Sequence, residues 1–438
     1  MNLSRRVSAL KPSSTVAVMN KAKALIAQGV PVLNFSAGEP DFNSPQKAKD
    51  AAIAALQGNQ TKYIPAAGDQ PTRELLARLI SERNSIPNCT ADHVVITTGV
   101  KMALYLTYQA LFDVAGTARG EGGAAGVAQA SVGTEASVAT EASMEMLLPV
   151  PAWVSFAPMA ELAGAKVIEL DTRAESGFKI TPEQLRAAIT PRSRVLMLNS
   201  PSNPCSTMYT RAELEALATV VAEAARTIAP ELVIVSDELY QHIVFGDTPF
   251  VSIGSIASVA EHTITINGPG KSFAMTGWRL GWVSGSGDFG KVFANALIKL
   301  AGQTTTCVPP FELAGMRVAL TECADELEKM RQAFAARAKV IYDLLAAIPS
   351  VKVARPIGAF YAFPDLAAYL GKSTPSGKRL STPAEFAAAL LEEKQMAVVP
   401  GEDFGGVGRT SVRISFACSE DQIREGMKRL REFLLAMK

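Results

Sequence analysis

The chain has 438 residues, more than one compact core usually holds, so two domains are expected. Hydrophobic residues make up 48% of it, which excludes a mostly disordered protein. With 43 Lys and Arg against 42 Asp and Glu the formal charge is +1, so the broad positive field of a nucleic-acid or anionic-membrane binder is missing and a small-molecule partner is the default.

The N-terminal MNLSRRVSALKPSS has two arginines but no apolar stretch after them, so it does not read as a secretory leader. No later apolar run approaches the about 18 residues of a membrane span. From about residue 48 to 300, HVVITTG, KVIEL, RVLMLNS, ELVIVSDE, HTITING and RLGWVSG are short, β-branched and closed by Gly, Asn, Ser or Asp. Helix-like stretches such as AELEALATVVAEAARTI lie between some of them, and the alternation predicts an α/β domain with a largely parallel sheet. Residues 117–143 interrupt it with eight Ala, five Gly and no aromatic residue, a composition that predicts a mobile surface insertion. From 301 onward a long charged helix (ELEKMRQAFAARAKVIYDLLAAI), VKVARPIGAFYAFPD, MAVVPG, RTSVRISFA and a last helix predict a smaller α+β domain, to which residues 16–47 are added.

Five scattered cysteines without C-x-x-C, and three histidines without ligand spacing, predict neither disulfides nor a metal site, and point to a reducing, cytoplasmic setting. Gly285-Ser286-Gly287-Asp288-Phe289-Gly290 satisfies G-x-G-x-x-G but lacks the acidic residue about 20 positions on at a second strand end. Gly270-Lys271-Ser272 lacks the upstream glycine of a phosphate loop, where Thr265 stands instead.

The chemistry gathers at strand ends, where open α/β sheets bind ligands: Asn199, Asp237 and Lys271. Taken alone, Lys271 in its Gly/Pro turn reads as a surface lysine. Phe273, Met275 and Trp278 beside it could desolvate the amine and free it for a Schiff base. Its company changes the reading, because Asp237 closes an apolar strand, Tyr240 follows three residues later, Asn203 lies after RVLMLNS, and Arg279 comes eight residues after the lysine. Pyridoxal phosphate needs such a set: an amine, a carboxylate for its ring nitrogen, donors for its phenolate oxygen and a guanidinium for its phosphate.

With SRRVSALKPSSTVAV, SAGEPDF, TKYIPAAG, PAWVSF, SPSNP, SDELY, KSFAMTGWRLGW, GAFYAFPD, VVPGEDFG and VRISFA in this order, the chain resembles the class I, fold-type I aminotransferases of the aspartate aminotransferase group. The resemblance implies a large domain with a mostly parallel seven-stranded sheet, a smaller α+β domain, pyridoxal 5'-phosphate as cofactor and a homodimer with shared sites. It implies that Lys271 carries the cofactor and shuttles the substrate's proton, that Asp237 keeps the ring nitrogen protonated, and that Tyr240 and Asn203 bond the phenolate oxygen. Trp153 would stack on the ring, and Arg279 with the Gly99-Val100-Lys101 turn would bind the phosphate. For the substrate, Arg413 and the Gly38 amide would take the α-carboxylate.

Tyr63 resembles the residue that reaches a neighbouring subunit's phosphate, and residues 1–15 resemble an arm packed near that neighbour. A dicarboxylate needs a second cation, for which Lys101 is the candidate and Lys11 a further one. Thr15 and Lys101 match residues of the aspartate/prephenate branch. The implied reaction moves the amino group of aspartate to 2-oxoglutarate in two half-reactions, with prephenate as a further acceptor. Alternatives are another amino donor (aromatic or alanine), a β-lyase on the same scaffold, or a ligand-binding regulatory domain. Two departures from the pattern stand out. Cys205-Ser206 replaces the usual Thr-Gly, which puts a glycine-type backbone at 206 in question, and Gly270 stands where relatives carry Ser or Ala.

Overall fold

A computed structural model describes residues 14–113 and 143–438, together with Ser4, Val7, Ser8 and Leu10. The insertion expected at 117–143 thus lies, but for Ser143, outside the described residues. Among the described residues no helix is long and apolar enough to cross a membrane.

In chain order the strands are β1 (Leu33–Asn34), β2 (Val94–Thr97), β3 (Glu145–Val150), β4 (Lys166–Asp171), β5 (Ser193–Asn199), β6 (Val233–Asp237), β7 (Thr263–Asn267), β8 (Gly281–Ser284), β9 (Tyr361–Ala362), β10 (Met396–Ala397), β11 (Val399–Pro400) and β12 (Val412–Ser415). Seven of them form one sheet in the order β2-β8-β7-β6-β5-β3-β4. The pairings among β3 to β7 are parallel, and β8 runs antiparallel to both its neighbours. The strand β3 was not among the expected ones, although EMLLPV is an apolar run closed by Pro151.

Both faces of this sheet are covered, which is why its strands read as apolar runs rather than alternating ones. Val195 and Met197 of β5 face a core shared with helices Val100–Leu111 and Gly287–Thr304. Leu196 and Leu198 face the other way, toward helices Pro182–Ala188 and Arg211–Thr227. The Arg211–Thr227 helix starts where the sequence dictates: Thr210 caps the Glu213 N–H and Glu213 answers to the Thr210 N–H. Its Leu214, Leu217 and Val221 return every three to four residues to the buried side, each contributing about 1.5–3 kcal/mol by leaving water.

The glycines of the discounted G-x-G-x-x-G serve this packing. A Cβ on Gly285 would stand 2.8 Å from Gly290 Cα, so they let the Gly287–Thr304 helix lie close against the end of β8.

Residues from both chain ends build the second core. β1 pairs in parallel with β10, and β11, β12 and β9 form an antiparallel sheet. Phe35 is buried there with Phe334, Phe360, Phe386, Phe416 and Phe433, under the helices Ala324–Ala346 and Glu420–Leu435.

Candidate active site

The parallel strands end along one edge. Asn199 closes β5, Asp237 closes β6, and Asn267 closes β7 four residues before Lys271. Because β8 runs the other way, its first residue reaches the same edge: Gly281 pairs with Thr97 at the end of β2, and Trp282 with Asn267. Arg279, two residues before β8, is thereby laid against the turn that follows β2. Gly99 in that turn has φ 89°, and a Cβ there would come within 2.5 Å of Arg279 Nη2, so both the backbone conformation and the close approach require glycine. Gly99 also caps the helix Val100–Leu111, whose first N–H groups are unpaired within the helix and offer an anion cradle beside the guanidinium.

These elements enclose a pocket of about 260 Å³ lined by every predicted site residue except Tyr63, Thr15 and Lys11. Lys11 lies outside the described residues, as does the side chain of Thr15, whose backbone belongs to the helix Ser14–Ala27. Tyr63 is 86% exposed and takes no part in this chain's own pocket.

Burial sets the charges at the floor. Desolvation pushes the Asp237 carboxyl up from 3.8 to about 7, against the Leu239 N–H at 3.1 Å and the charge of Lys271, which favour ionisation. Desolvation likewise pushes the Lys271 amine down from 10.5 to about 8; Arg413 and Arg279 add to the fall, and Glu39 and Asp237 oppose it. A carboxyl and an amine this near neutrality are an acid waiting for a cation and a nucleophile available in mildly alkaline water.

The Lys271 ammonium donates to the Gly38 carbonyl. Gly38 was expected through its amide, as a donor to substrate; here its carbonyl is the engaged group. Asn203, expected at a phenolate oxygen, accepts through Oδ1 from Arg413 Nη1 at 3.1 Å.

Arg413 is 3% exposed, and its Nη2 donates to the Ser36 carbonyl at 2.9 Å. Its guanidinium lies over Tyr361 at 4.7 Å and over Phe404 at 5.3 Å, while Nε has no partner. A buried, unsatisfied guanidinium donor is a binding function left open for an anion. Lys101 Nζ stands 5.0 Å over the Trp153 ring, its pKa lowered by burial and then by Arg279.

Tyr361 was missed in the sequence. Its hydroxyl meets that of Tyr240 at 2.9 Å, and a Cβ on Gly38 would come 3.1 Å from it. The signal was present: a tyrosine inside the apolar GAFYAF must bury a hydroxyl, and a buried hydroxyl needs a partner. Of the two departures, Ser206 does adopt the left-handed backbone, with φ 57°. At Gly270 a Cβ would find nothing nearer than Thr276 Cα at 3.7 Å, so a small side chain would fit.

The donor set fits pyridoxal phosphate: an anion cradle with Arg279 at one end, a buried amine in the middle, and a carboxyl short of a cation at the floor. The family model for aminotransferases of class I and II matches residues 30–115 and 124–430. The chain is 36% identical to an aspartate aminotransferase of Bacillus subtilis, over 99% of each chain. To an aspartate/prephenate aminotransferase of Thermus thermophilus it is 35% identical, over 99% of this chain and 98% of that one. The solved structure of a Thermus thermophilus aspartate aminotransferase with maleate superposes with a TM-score of 0.84 at 35% identity, covering 99% of this chain and 100% of that one.

Proposed function

Because the chain belongs to the class I and II aminotransferase family, we propose that it moves the amino group of L-aspartate to 2-oxoglutarate, giving oxaloacetate and L-glutamate, with pyridoxal phosphate held in the pocket described above. The observation that carries this reading is the buried pair of Lys271 and Asp237, each held near neutrality between the Arg279 cradle and Arg413. When bound, the cofactor supplies an electron-accepting ring.

The chain's residues do the rest. Lys271 Nζ would hold the cofactor and, when released, would move a proton to and from the substrate Cα. Asp237 would keep the ring nitrogen charged, and the Tyr240 hydroxyl and Asn203 amide would donate to the phenolate oxygen. Trp153 would cover the ring, and the Gly99-Val100-Lys101 turn with Arg279 would grip the phosphate. Arg413 takes the α-carboxylate with its open Nε and the fork beside it.

Lys101, without a carboxylate partner among the described residues, is assigned to the second carboxylate; prephenate, which also carries two, is proposed as a further acceptor. Mixed with pyridoxal phosphate, the protein should show a visible band that aspartate discharges and 2-oxoglutarate restores. In Lys101→Ala the kcat/KM for dicarboxylates should fall by about 1.5–3 kcal/mol, the scale of a hydrogen bond to a charged group, and much less for alanine or phenylalanine. An equal loss for all donors would return Lys101 to a cofactor role.

We also propose a homodimer with shared sites, in which exposed Tyr63 reaches the phosphate of the neighbouring subunit. Residues 48–300 would form the large unit, and residues 16–47 with 301–438 the small one. The exposed Ile53 and Leu56 on the helix Gln46–Gln57, close in sequence to Tyr63, support such a contact. Mixing inactive Tyr63→Ala chains with inactive Arg413→Ala chains should restore up to about a quarter of the wild-type rate, since half the dimers are then mixed and each has one intact site. No recovery, or an active monomer in sedimentation, would remove the shared-site proposal.

A further inference from the structure

We infer that Ser206 is a positioning residue that fixes the arginine end of the pocket; the inference rests on the transaminase reading above. Ser206 is fully buried and holds φ 57°, a left-handed backbone that a residue with a Cβ keeps only where its surroundings over-determine it.

Its bonds do so. Its N–H donates to the Ser202 carbonyl at 2.9 Å, and its carbonyl accepts from Ile357 N–H at 2.9 Å and Gly358 N–H at 3.2 Å. Any residue that tolerates this conformation could make those three. The fourth bond belongs to the side chain: Ser206 Oγ accepts the Tyr361 N–H at 2.8 Å.

That bond closes a ring of site residues. Tyr361 lies under the Arg413 guanidinium at 4.7 Å, Arg413 Nη1 donates to Asn203 Oδ1 at 3.1 Å, and Asn203 precedes Ser206 by three residues in one tight loop. The loop is tied at its other end as well, where Asn199 Oδ1 accepts the Asn203 N–H at 2.8 Å and Asn199 Nδ2 donates to the Asp237 carbonyl at 3.1 Å. The hydroxyl therefore adds, to the backbone bonds from Ile357 and Gly358, the one tie that reaches Tyr361 itself, and so helps to set the spacing between Asn203 and Tyr361, two of the groups that hold Arg413. Through the 2.9 Å contact of Tyr361 with the Tyr240 hydroxyl, it also sets the group assigned to the cofactor's phenolate oxygen.

A glycine at 206 would keep every backbone bond and relieve the φ. It would also leave the Tyr361 N–H buried without a partner, and a buried donor in that state moves until it finds one or admits water.

The test compares S206A with S206G in the full-length chain. S206A keeps the Cβ in its strained conformation and loses the hydroxyl. S206G loses the hydroxyl and the strain together, so it folds at this φ even if S206A does not. Both should lose on the order of tenfold in kcat/KM for aspartate, the scale of one buried hydrogen bond, with most of the loss in KM. Both should shift the pH midpoint of the cofactor's visible band in the same direction. In both, the Tyr361 amide of the cofactor-free chain should exchange with deuterium faster than in wild type, while S206G melts at a higher temperature than S206A.

If S206G keeps the wild-type KM, band midpoint and Tyr361 protection, the hydroxyl positions nothing and the inference falls, with transamination untouched. If wild type fails to bind pyridoxal phosphate or to turn over aspartate, the underlying reading falls, and Tyr361 exchange still reports whether the serine holds that backbone.

Discussion

Replacing Lys271 with alanine is expected to lower kcat for aspartate by more than about 10⁴-fold, the upper range for removing a positioned acid–base group, and to abolish the visible band of the cofactor. Lys271 faces the open pocket and gives one hydrogen bond, to the Gly38 carbonyl, so its loss opens no gap in either core. The cofactor-free variant should therefore melt close to wild type. Pyridoxal phosphate should raise the melting temperature of wild type much more than that of the variant, because under the proposed role only wild type would hold the group covalently. A variant with near-normal turnover would remove Lys271 from the chemistry and with it the assignment of the pocket.

Replacing Asp237 with asparagine should cost about 10²–10³-fold in kcat, the range for removing a preorganised group that stabilises charge in a water-excluded site. It should also change the way stability depends on pH. The carboxyl has a pKa of about 7 in the folded chain against an ordinary value of 3.8, so between these values the folded state binds the extra proton. Wild-type stability should therefore be fully present below about pH 4 as far as this group is concerned, and be lost as pH rises through 7. Glu238, also pushed up to about 7 by burial, gives a slope of the same sign and remains in the variant. Melting temperatures of the cofactor-free chains at pH 5 and pH 7.5 should thus differ less for Asp237→Asn than for wild type. Bound cofactor reverses the situation for wild type: a charged ring nitrogen beside Asp237 favours the carboxylate, so stabilisation by pyridoxal phosphate should grow from pH 5 to pH 7.5 and do so less in the variant. Identical pH slopes for the two chains would mean that Asp237 is ionised in the fold and needs no cation.

Much of this site could be read from the chain before its structure. Asp237 and Lys271 sit one after the other at the ends of apolar runs, and the rule that open α/β sheets bind ligands at that edge places them together without coordinates. Tyr361 and Ser206 could not be reached in this way, because what they do depends on contacts between segments far apart: Ser206 Oγ meets a backbone N–H 155 residues away, and Arg413 reaches Asn203 across 210. The direction of β8 was equally illegible, since RLGWVSG has the same pattern whichever way it runs. The strand β3 escaped because Pro149 and Pro151 lie in and just after a run that propensity alone marks as broken. Ser206 takes a left-handed backbone although it carries a Cβ, held there by its bonds to Ser202, Ile357 and Gly358.

The reversal of β8 also orders the making of the site in time. Lys271 and Arg279 lie on the two sides of one connection between paired neighbours, with Thr265 facing Ser284 only 19 residues later. Every strand of the seven-stranded sheet is complete by Ser284, whereas Tyr361 and Arg413 follow much later in the chain. A ribosome therefore finishes Lys271, Asp237 and Arg279 with the Gly99 turn well before it adds Tyr361 and Arg413. Under the proposed roles, the group for the α-carboxylate is added in the last quarter of the polypeptide, onto a strand edge that already carries Lys101 for the second carboxylate.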